Sequence, residues 1–409
     1  MTNLLWPGDQ RAGEFMTDRA LLRSMVAVES AWLSGLADAG LAPAECAGVD
    51  LSQLVEQQDC DMLADAAEDG GNPVIGLVEL LRQRAAPAVG WWIHRGLTSQ
   101  DVVDTALMLG VRAIVDHLKR VVKNQISMLS KMAATHRHTA MVARTLTQPA
   151  VPTTFGAKAA GWLNGVVDAY DRLTGLTTPA QIGGAAGTLA ATTELATLSD
   201  AADDPARISV RLVQHTAKAL GLSVRTPWHT TRTPVTAAAD ALVGCTDAWG
   251  RIASDVVVLA RPEIGELREP AGTNRGGSST MPHKRNPVLS VLIRRAAVAA
   301  PFLAATLHTA AALANDERPD GSWHAEWDTL RTMARRTVVA GSHCSDLLAG
   351  LQIHSGRMVD NLTAAEVSGE QRAIADFVGK TPSPTYFGVL DRVVDDSLAR
   401  AQAVLQDDS

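Results

Sequence analysis

From Val235 the apolar or small residues fall at Val235, Ala239, Leu242, Cys245, Trp249, Ile252, Val256 and Leu259, in alternating steps of three and four. Only the 3.6-residue period of an α-helix brings such positions onto one face, and Pro262 closes the run. A second stripe passes through Leu289, Leu292, Ala296, Ala299, Leu303, Thr306, Ala310 and Leu313, and a third through Trp327, Leu330, Ala334, Thr337, Gly341, Cys344 and Leu348. Helix-like stretches also run around 101–135, 153–175 and 189–220, whereas alternating β-branched runs bounded by turns are hard to find. The pattern predicts an all-α chain with a central bundle of long helices. Small residues along the stripes let helices pack closely, and helices of this length bury more surface in an oligomer than alone. The coarse division is an N-terminal helical domain over 1–90, a central long-helix bundle over 91–350 and a short C-terminal helical region over 351–409.

The 409 residues suffice for a large core, and the formal charge of -7 is spread along the chain instead of collecting in tails or basic stripes. That distribution predicts no nucleic-acid partner and no membrane-surface partner. Cys46, Cys60, Cys245 and Cys344 lie far apart without metal-knuckle spacing, which points to a reduced, cytoplasmic setting and no structural metal. The start, MTNLLWPGDQRAGEF, lacks the basic and then apolar pattern of a secretion signal, and no segment is expected to reach the roughly 18 apolar residues of a membrane helix.

Four polar stretches interrupt the helical pattern: His94 to Asp101, Arg144 to Gln148, Gln181 to Thr188, and GGSSTMPHKRNP over 276–287. Thr98, Ser99 or Asp101 can serve as helix caps, and Gly183 to Thr188 reads equally as a tight turn. The fourth stretch resists so plain a reading. Gly276 and Gly277 permit unusual backbone conformations, Lys284 and Arg285 bring fixed positive charge, and Asn286 adds a directional donor and acceptor. A serine among cations and backbone dipoles loses its proton more readily than in water, and so suits proton transfer at a carbon next to a carboxylate. Removing that proton makes a doubly charged, enolate-like species, which needs positive charge or hydrogen-bond donors where the charge develops.

Gly277 to Asn286 resembles the signature loop of the fumarase/aspartase superfamily. His94 to Thr105 is similar to that superfamily's first active-site segment and Arg144 to Thr154 to its second, so the likeness covers roughly residues 5–365. It implies a homotetramer with a core of long helices and active sites shared between subunits, no metal or organic cofactor, and a small polycarboxylate substrate. Leu5 to Asp9, Gly71 to Ile75, Gly183 to Thr188, Pro227 to His229 with Arg232, and Trp323 to Trp327 resemble the 3-carboxy-cis,cis-muconate cycloisomerase branch, with a place in the breakdown of aromatic acids such as protocatechuate.

The resemblance implies that Ser278 transfers the proton while Lys284 and Asn286 hold carboxylates and stabilise the intermediate. His94, Thr98, Ser99, Arg144, Thr145, Gln148, Arg232, Ser279 and Met281 are the further substrate-binding candidates. His324 and Glu326 are expected to pack helices. Two departures bear on the substrate. Leu146 stands where many members carry the histidine that protonates the leaving group, and the C-terminal region is expected to be some tens of residues shorter than usual. A fumarate-releasing relative, of nitrosuccinate lyase or adenylosuccinate lyase type, therefore stays open, as does an inactive oligomeric scaffold.

Overall fold

The computed structural model describes residues 3–199, 204–270, 272, 275–277, 280–281 and 283–406. Long helices dominate it: Ser99–Thr135, Thr233–Leu259, Val288–Ala312 and Gly321–Gly350. The three apolar stripes fall on the last three, so the periodicity located these helices to within a few residues. The stretch read as one helix over 189–220 contains two, Ala190–Leu198 and Pro205–Ala219. Pro205 opens the second, where its missing N–H costs no helical bond, and the Asp204 side chain caps it.

By its contacts the chain forms two compact units. The first comprises 1–116, 176–240 and 303–335, and the second 117–175, 241–302 and 336–409. In the first, the helix Asp18–Asp38 starts at Thr17, whose hydroxyl accepts from the Ala20 N–H. It ends where Gly40, at φ 71°, lets the N–H groups of Gly40 and Leu41 return to the carbonyls of Ala37 and Leu36. Its inner face buries Leu22, Val26, Trp32, Leu33 and Leu36. Asn72 caps the helix Val74–Arg84 by accepting from the Val74 N–H at 3.0 Å.

The second unit carries most of the β-structure. Ala140–Thr145 and Gln148–Thr154 form an antiparallel hairpin, and Leu267–Arg268 pairs with Gln352–Ile353. The second polar stretch is thus a hairpin in an otherwise helical chain. The chain leaves the hairpin through Thr154, whose hydroxyl caps the helix Phe155–Thr174. That helix packs against Leu390–Gln406 around Ala133, Ala159, Ala160 and Val394. Gln125, fully buried, donates to the Gly341 carbonyl and accepts from the Trp249 indole at 2.7 Å. A side-chain amide used at both ends in this way pins three helices without leaving that pair of groups unsatisfied.

One sequence expectation is corrected. Val288–Ala312 is long and apolar enough to cross a membrane, with a mean hydropathy of 1.7 over its most apolar window and only 33% of that window buried. Its alanines raise hydropathy without bulk, and Val291, Val298 and Phe302 stand exposed along it.

Two glycines of the helix Phe155–Thr174 should respond oppositely to alanine. A Cβ on Gly156 would sit 2.6–2.7 Å from backbone atoms of Ala133 and Arg137, which cannot swing away, whereas Gly161 has nothing within 4 Å. Gly156→Ala should therefore cost about 1–3 kcal/mol or more, and Gly161→Ala should add up to ~1 kcal/mol. Thermal melting of the two variants against the parent checks both signs.

Candidate active site

The first polar stretch is held by a buried carboxylate. Asp101 lies in the first turn of Ser99–Thr135, and its Oδ2 accepts from the Thr98 N–H at 3.1 Å, the reach-back of a helix capping box. The same carboxylate accepts from the N–H groups of Gly183 and Gly184, both at 2.9 Å, and stands 3.2 Å from His229 Nε2. Two polar stretches some eighty residues apart are thereby drawn to one point. Gly96 (φ 87°) and Gly184 (φ 70°) pass close by, and a Cβ on Gly96 would fall 2.4 Å from the Thr192 hydroxyl. Glycine is required there on both counts.

His94 has φ 65°, an uncommon conformation for a non-glycine residue that stores strain and marks a candidate functional position. Its Nδ1 lies 2.6 Å from the Glu29 carboxylate, which is fully buried. Burial favours the neutral ring. The charge and hydrogen bond of Glu29, supported by Asp101, outweigh both that and the opposing charge of Arg82, so the His94 pKa lies above the ordinary histidine value. His94 and Ser99 line a cleft of about 600 Å³ together with Arg82 and Glu79. Thr98 neighbours them, with its hydroxyl accepting from Arg318.

Arg232 corrects an expectation. It was a candidate for binding substrate, but its side chain has no exposed surface, and its guanidinium is filled by Asp104 (2.7 and 3.0 Å) and Glu326 (2.5 and 3.0 Å). The Trp323 indole and the Gln100 amide also donate to Asp104. Burial pushes the Glu326 carboxyl up, and the bonds to Arg232 offset only part of that rise. Arg232 thus neutralises two buried carboxylates and holds helices together. Glu326 has the packing role expected of it, and His324 meets the carbonyls of Asp320 and Gly71.

In the second unit, Arg144 is likewise engaged. It makes a two-pronged ion pair with Glu266, at 3.0 and 2.7 Å, and Glu266 is fully buried. Asn361, on the helix Ser355–Ala364, donates to the same carboxylate at 2.7 Å. Arg144 was also a substrate-binding candidate; its guanidinium instead clamps the base of the hairpin. The tip beyond it is exposed. Thr145 faces Gln148 across a two-residue turn in which Leu146 (φ 49°) and Thr147 (φ 72°) both take positive φ. Such turns normally use Asn or Gly, and a β-branched residue there is strained. Leu146 is 96% exposed.

The signature loop follows. Ser278 and Ser279 lie outside the described residues. Around them, the Asn286 N–H donates to the Gly276 carbonyl at 2.8 Å, closing the loop at its base, and the Lys284 N–H donates to the Met281 carbonyl. Gly276 has φ 75°, and a Cβ on it would sit 2.5 Å from the Asn286 carbonyl oxygen. Met281 and Lys284 are exposed and Asn286 half-buried. Glu269 fixes the exit by accepting from the N–H groups of Leu289 and Ser290 at the start of Val288–Ala312. A carboxylate at a helix N-terminus is favourable there.

Sequence reasoning did not pick out Glu29, Arg82, Glu266 or Asn361. Glu29 carries a signal in retrospect, since it occupies the apolar stripe of its helix between Val26 and Leu33. A carboxylate on a core face needs a partner. Glu266 carries no comparable mark.

Long helices and a loop that joins a serine to two cations fit an enzyme of the lyase class. The sequence pattern of the lyase family matches residues 17–301, and the chain belongs to that family, within the fumarase/aspartase superfamily. It is 43% identical to a nitrosuccinate lyase of Streptomyces davaonensis over 88% of this chain and 76% of that protein. It is 39% identical to a 3-carboxy-cis,cis-muconate cycloisomerase of Bradyrhizobium diazoefficiens over 89% of this chain and 80% of that protein. In structure it is similar to the 3-carboxy-cis,cis-muconate lactonizing enzyme of Pseudomonas putida, with a TM-score of 0.79 and 29% identity over 99% of this chain and 90% of the other.

Glu266→Ala should leave the Arg144 guanidinium largely buried with no carboxylate partner and destabilise the protein by about 3–5 kcal/mol. Glu266→Gln, which keeps the volume and one acceptor, should cost less. Thermal denaturation of both variants tests the ranking; equal melting of Glu266→Ala and parent would remove the clamp from the account.

Proposed function

We propose that the protein interconverts 3-carboxy-cis,cis-muconate and 4-carboxymuconolactone. In the closing direction a substrate carboxylate oxygen forms a C–O bond to one alkene carbon, and Ser278 delivers a proton to the carbon next to another carboxylate. In reverse, Ser278 takes that proton and the C–O electron pair leaves with the carboxylate. Lys284 and Asn286 stabilise the enolate-like species between the two steps, and Thr145 and Gln148 at the hairpin tip offer hydrogen bonds to the substrate.

The observation that carries this reading is Leu146, exposed at the tip of the second active-site segment. Leucine cannot give a proton to a leaving group. A reaction run with this side chain suits a leaving group stable as an anion, and the carboxylate released on lactone opening is one. The likeness to the Pseudomonas putida enzyme over nearly the whole chain supports the substrate.

Nitrosuccinate is the second reading, favoured by the relative at 43% identity. Nitrite also departs as a stable anion: the C–N electron pair leaves with it, Ser278 takes the neighbouring proton, and fumarate forms. Under either reading we place the exposed apolar face of Val288–Ala312 against further copies of this chain in a homotetramer, with active sites shared between subunits.

Purified protein should consume 3-carboxy-cis,cis-muconate with no metal added, and Ser278→Ala should slow turnover by roughly 10²–10⁴-fold without loss of fold or assembly. Near-full turnover by the folded variant would remove the serine from its role. Fumarate release from nitrosuccinate, with the muconate untouched, would move the assignment to the second substrate.

A further inference from the structure

The first unit holds a cavity of about 240 Å³ to which none of the four polar stretches contributes a residue. Its wall is mostly apolar, built by Met16, Ala20, Leu21, Ala106, Leu107 and Trp327, with Ser24, Asp328 and Arg331 as its polar members. Two features that work against stability make the room. Met16 takes φ 50°, an uncommon conformation for a non-glycine residue, and such strain marks a candidate functional position. Gly110 interrupts the 37-residue helix Ser99–Thr135, where glycine is markedly worse than alanine. A Cβ on Gly110 would fall 3.1 Å from Met16 Cγ, so the glycine gives the methionine side chain its place. A second hollow of about 340 Å³, lined by Leu109 and Ala113, shares Met16, Ala20, Ser24 and Gly110 with the first. A flexible thioether thus forms part of both walls and can yield to an occupant.

Size and chemistry narrow the occupant. An apolar cavity of roughly 150 Å³ stays dry and admits benzene, so the larger one here has room for two fused rings. Trp327 supplies an aromatic wall and is held edge-on by Trp323, with ring centroids 4.7 Å apart. Its indole Nε1 is buried without a hydrogen-bond partner. An orphaned donor is costly, and an oxygen on a bound ring offers it an acceptor. The charges at the cavity disfavour an anion. Arg331 Nη1 already donates to the Asp18 carboxylate at 2.7 Å, and Asp328 stands exposed beside it. A hydroxyl, which accepts from the indole and donates to an aspartate, suits both polar groups.

We infer that this cavity binds an uncharged phenol of one or two rings, with the rings against Trp327, Leu107 and Met16, the oxygen accepting from the Trp327 indole, and the hydroxyl donating to Asp328. No bond is made or broken there. The site is separate from the residues placed at the reacting carbon, and it does not depend on which substrate the enzyme turns over.

Calorimetric titration of the assembled protein with 2-naphthol near pH 7, where a phenol keeps its proton, tests this. Saturable binding of one equivalent per chain is expected. The anion 2-naphthoate, which has to bury a carboxylate with no cation left to match it, should bind about tenfold more weakly, and Asp328→Asn should close part of that gap. Trp327→Phe keeps an aromatic ring but removes the N–H donor, and should weaken 2-naphthol roughly three- to tenfold. Ala20→Phe fills the wall common to both hollows and should weaken it about tenfold or more. Should that variant fail to fold, Ser24→Leu, one turn further along the same helix, should have the same effect. No saturable binding by the parent, or 2-naphthoate bound as tightly as 2-naphthol, would overturn the site. Parent-like affinity in folded Ala20→Phe or Ser24→Leu would do so too, by showing the phenol attached elsewhere, such as on the exposed apolar face of Val288–Ala312. Failure to turn over either proposed substrate would remove the proposed function and leave this site in place; turnover without phenol binding would do the reverse.

Discussion

The Asp101 carboxylate is the contact on which the first half of the candidate site depends. It caps its own helix through Thr98 and gathers the N–H groups of Gly183 and Gly184. Each is a hydrogen bond to a charged acceptor away from water, where such bonds are strong and an orphaned partner is costly. The segment carrying His94, Thr98 and Ser99 therefore cannot settle independently of the glycine turn. The glycines fit the same close packing: a Cβ on Gly184 would lie 3.3 Å from the Gly96 carbonyl oxygen, and one on Gly96 would run into the Thr192 hydroxyl.

Internal carboxylates decide which cations remain to meet a substrate. Asp104 and Glu326 enclose Arg232, and Glu266 takes both prongs of Arg144. These arginines fix helices and the hairpin base, whereas Lys284 and Arg285 in the signature loop stand exposed. The net charge of -7 does not decide the potential there, because local placement and not the overall balance sets it.

The long helices were legible because a period of three and four repeated over many turns admits one backbone geometry, and Thr233–Leu259 matches its stripe almost end to end. The hairpin over 140–154 was hidden, since Pro149 and Pro152 break the strand pattern and its turn uses leucine and threonine where asparagine and glycine would announce it. Lys284 and Asn286 were singled out from a loop dense in polar groups, and the structure leaves Lys284 exposed and Asn286 half-buried there. The carboxylate partners of Arg144 and Arg232 were not foreseen for a simple reason: sequence shows a cation's charge but not the partner that folding assigns it. Glu266 and Asn361, nearly a hundred residues apart, meet only once the chain is folded.

Positioned protonation of a carbon next to a carboxylate is the claim that joins the signature loop, the cations and Leu146. Proton NMR of the lactone formed from 3-carboxy-cis,cis-muconate in D₂O tests it most directly. One deuterium at that carbon, on a single face, is the predicted result. Deuterium spread over both faces, or no lactone at all, would contradict it.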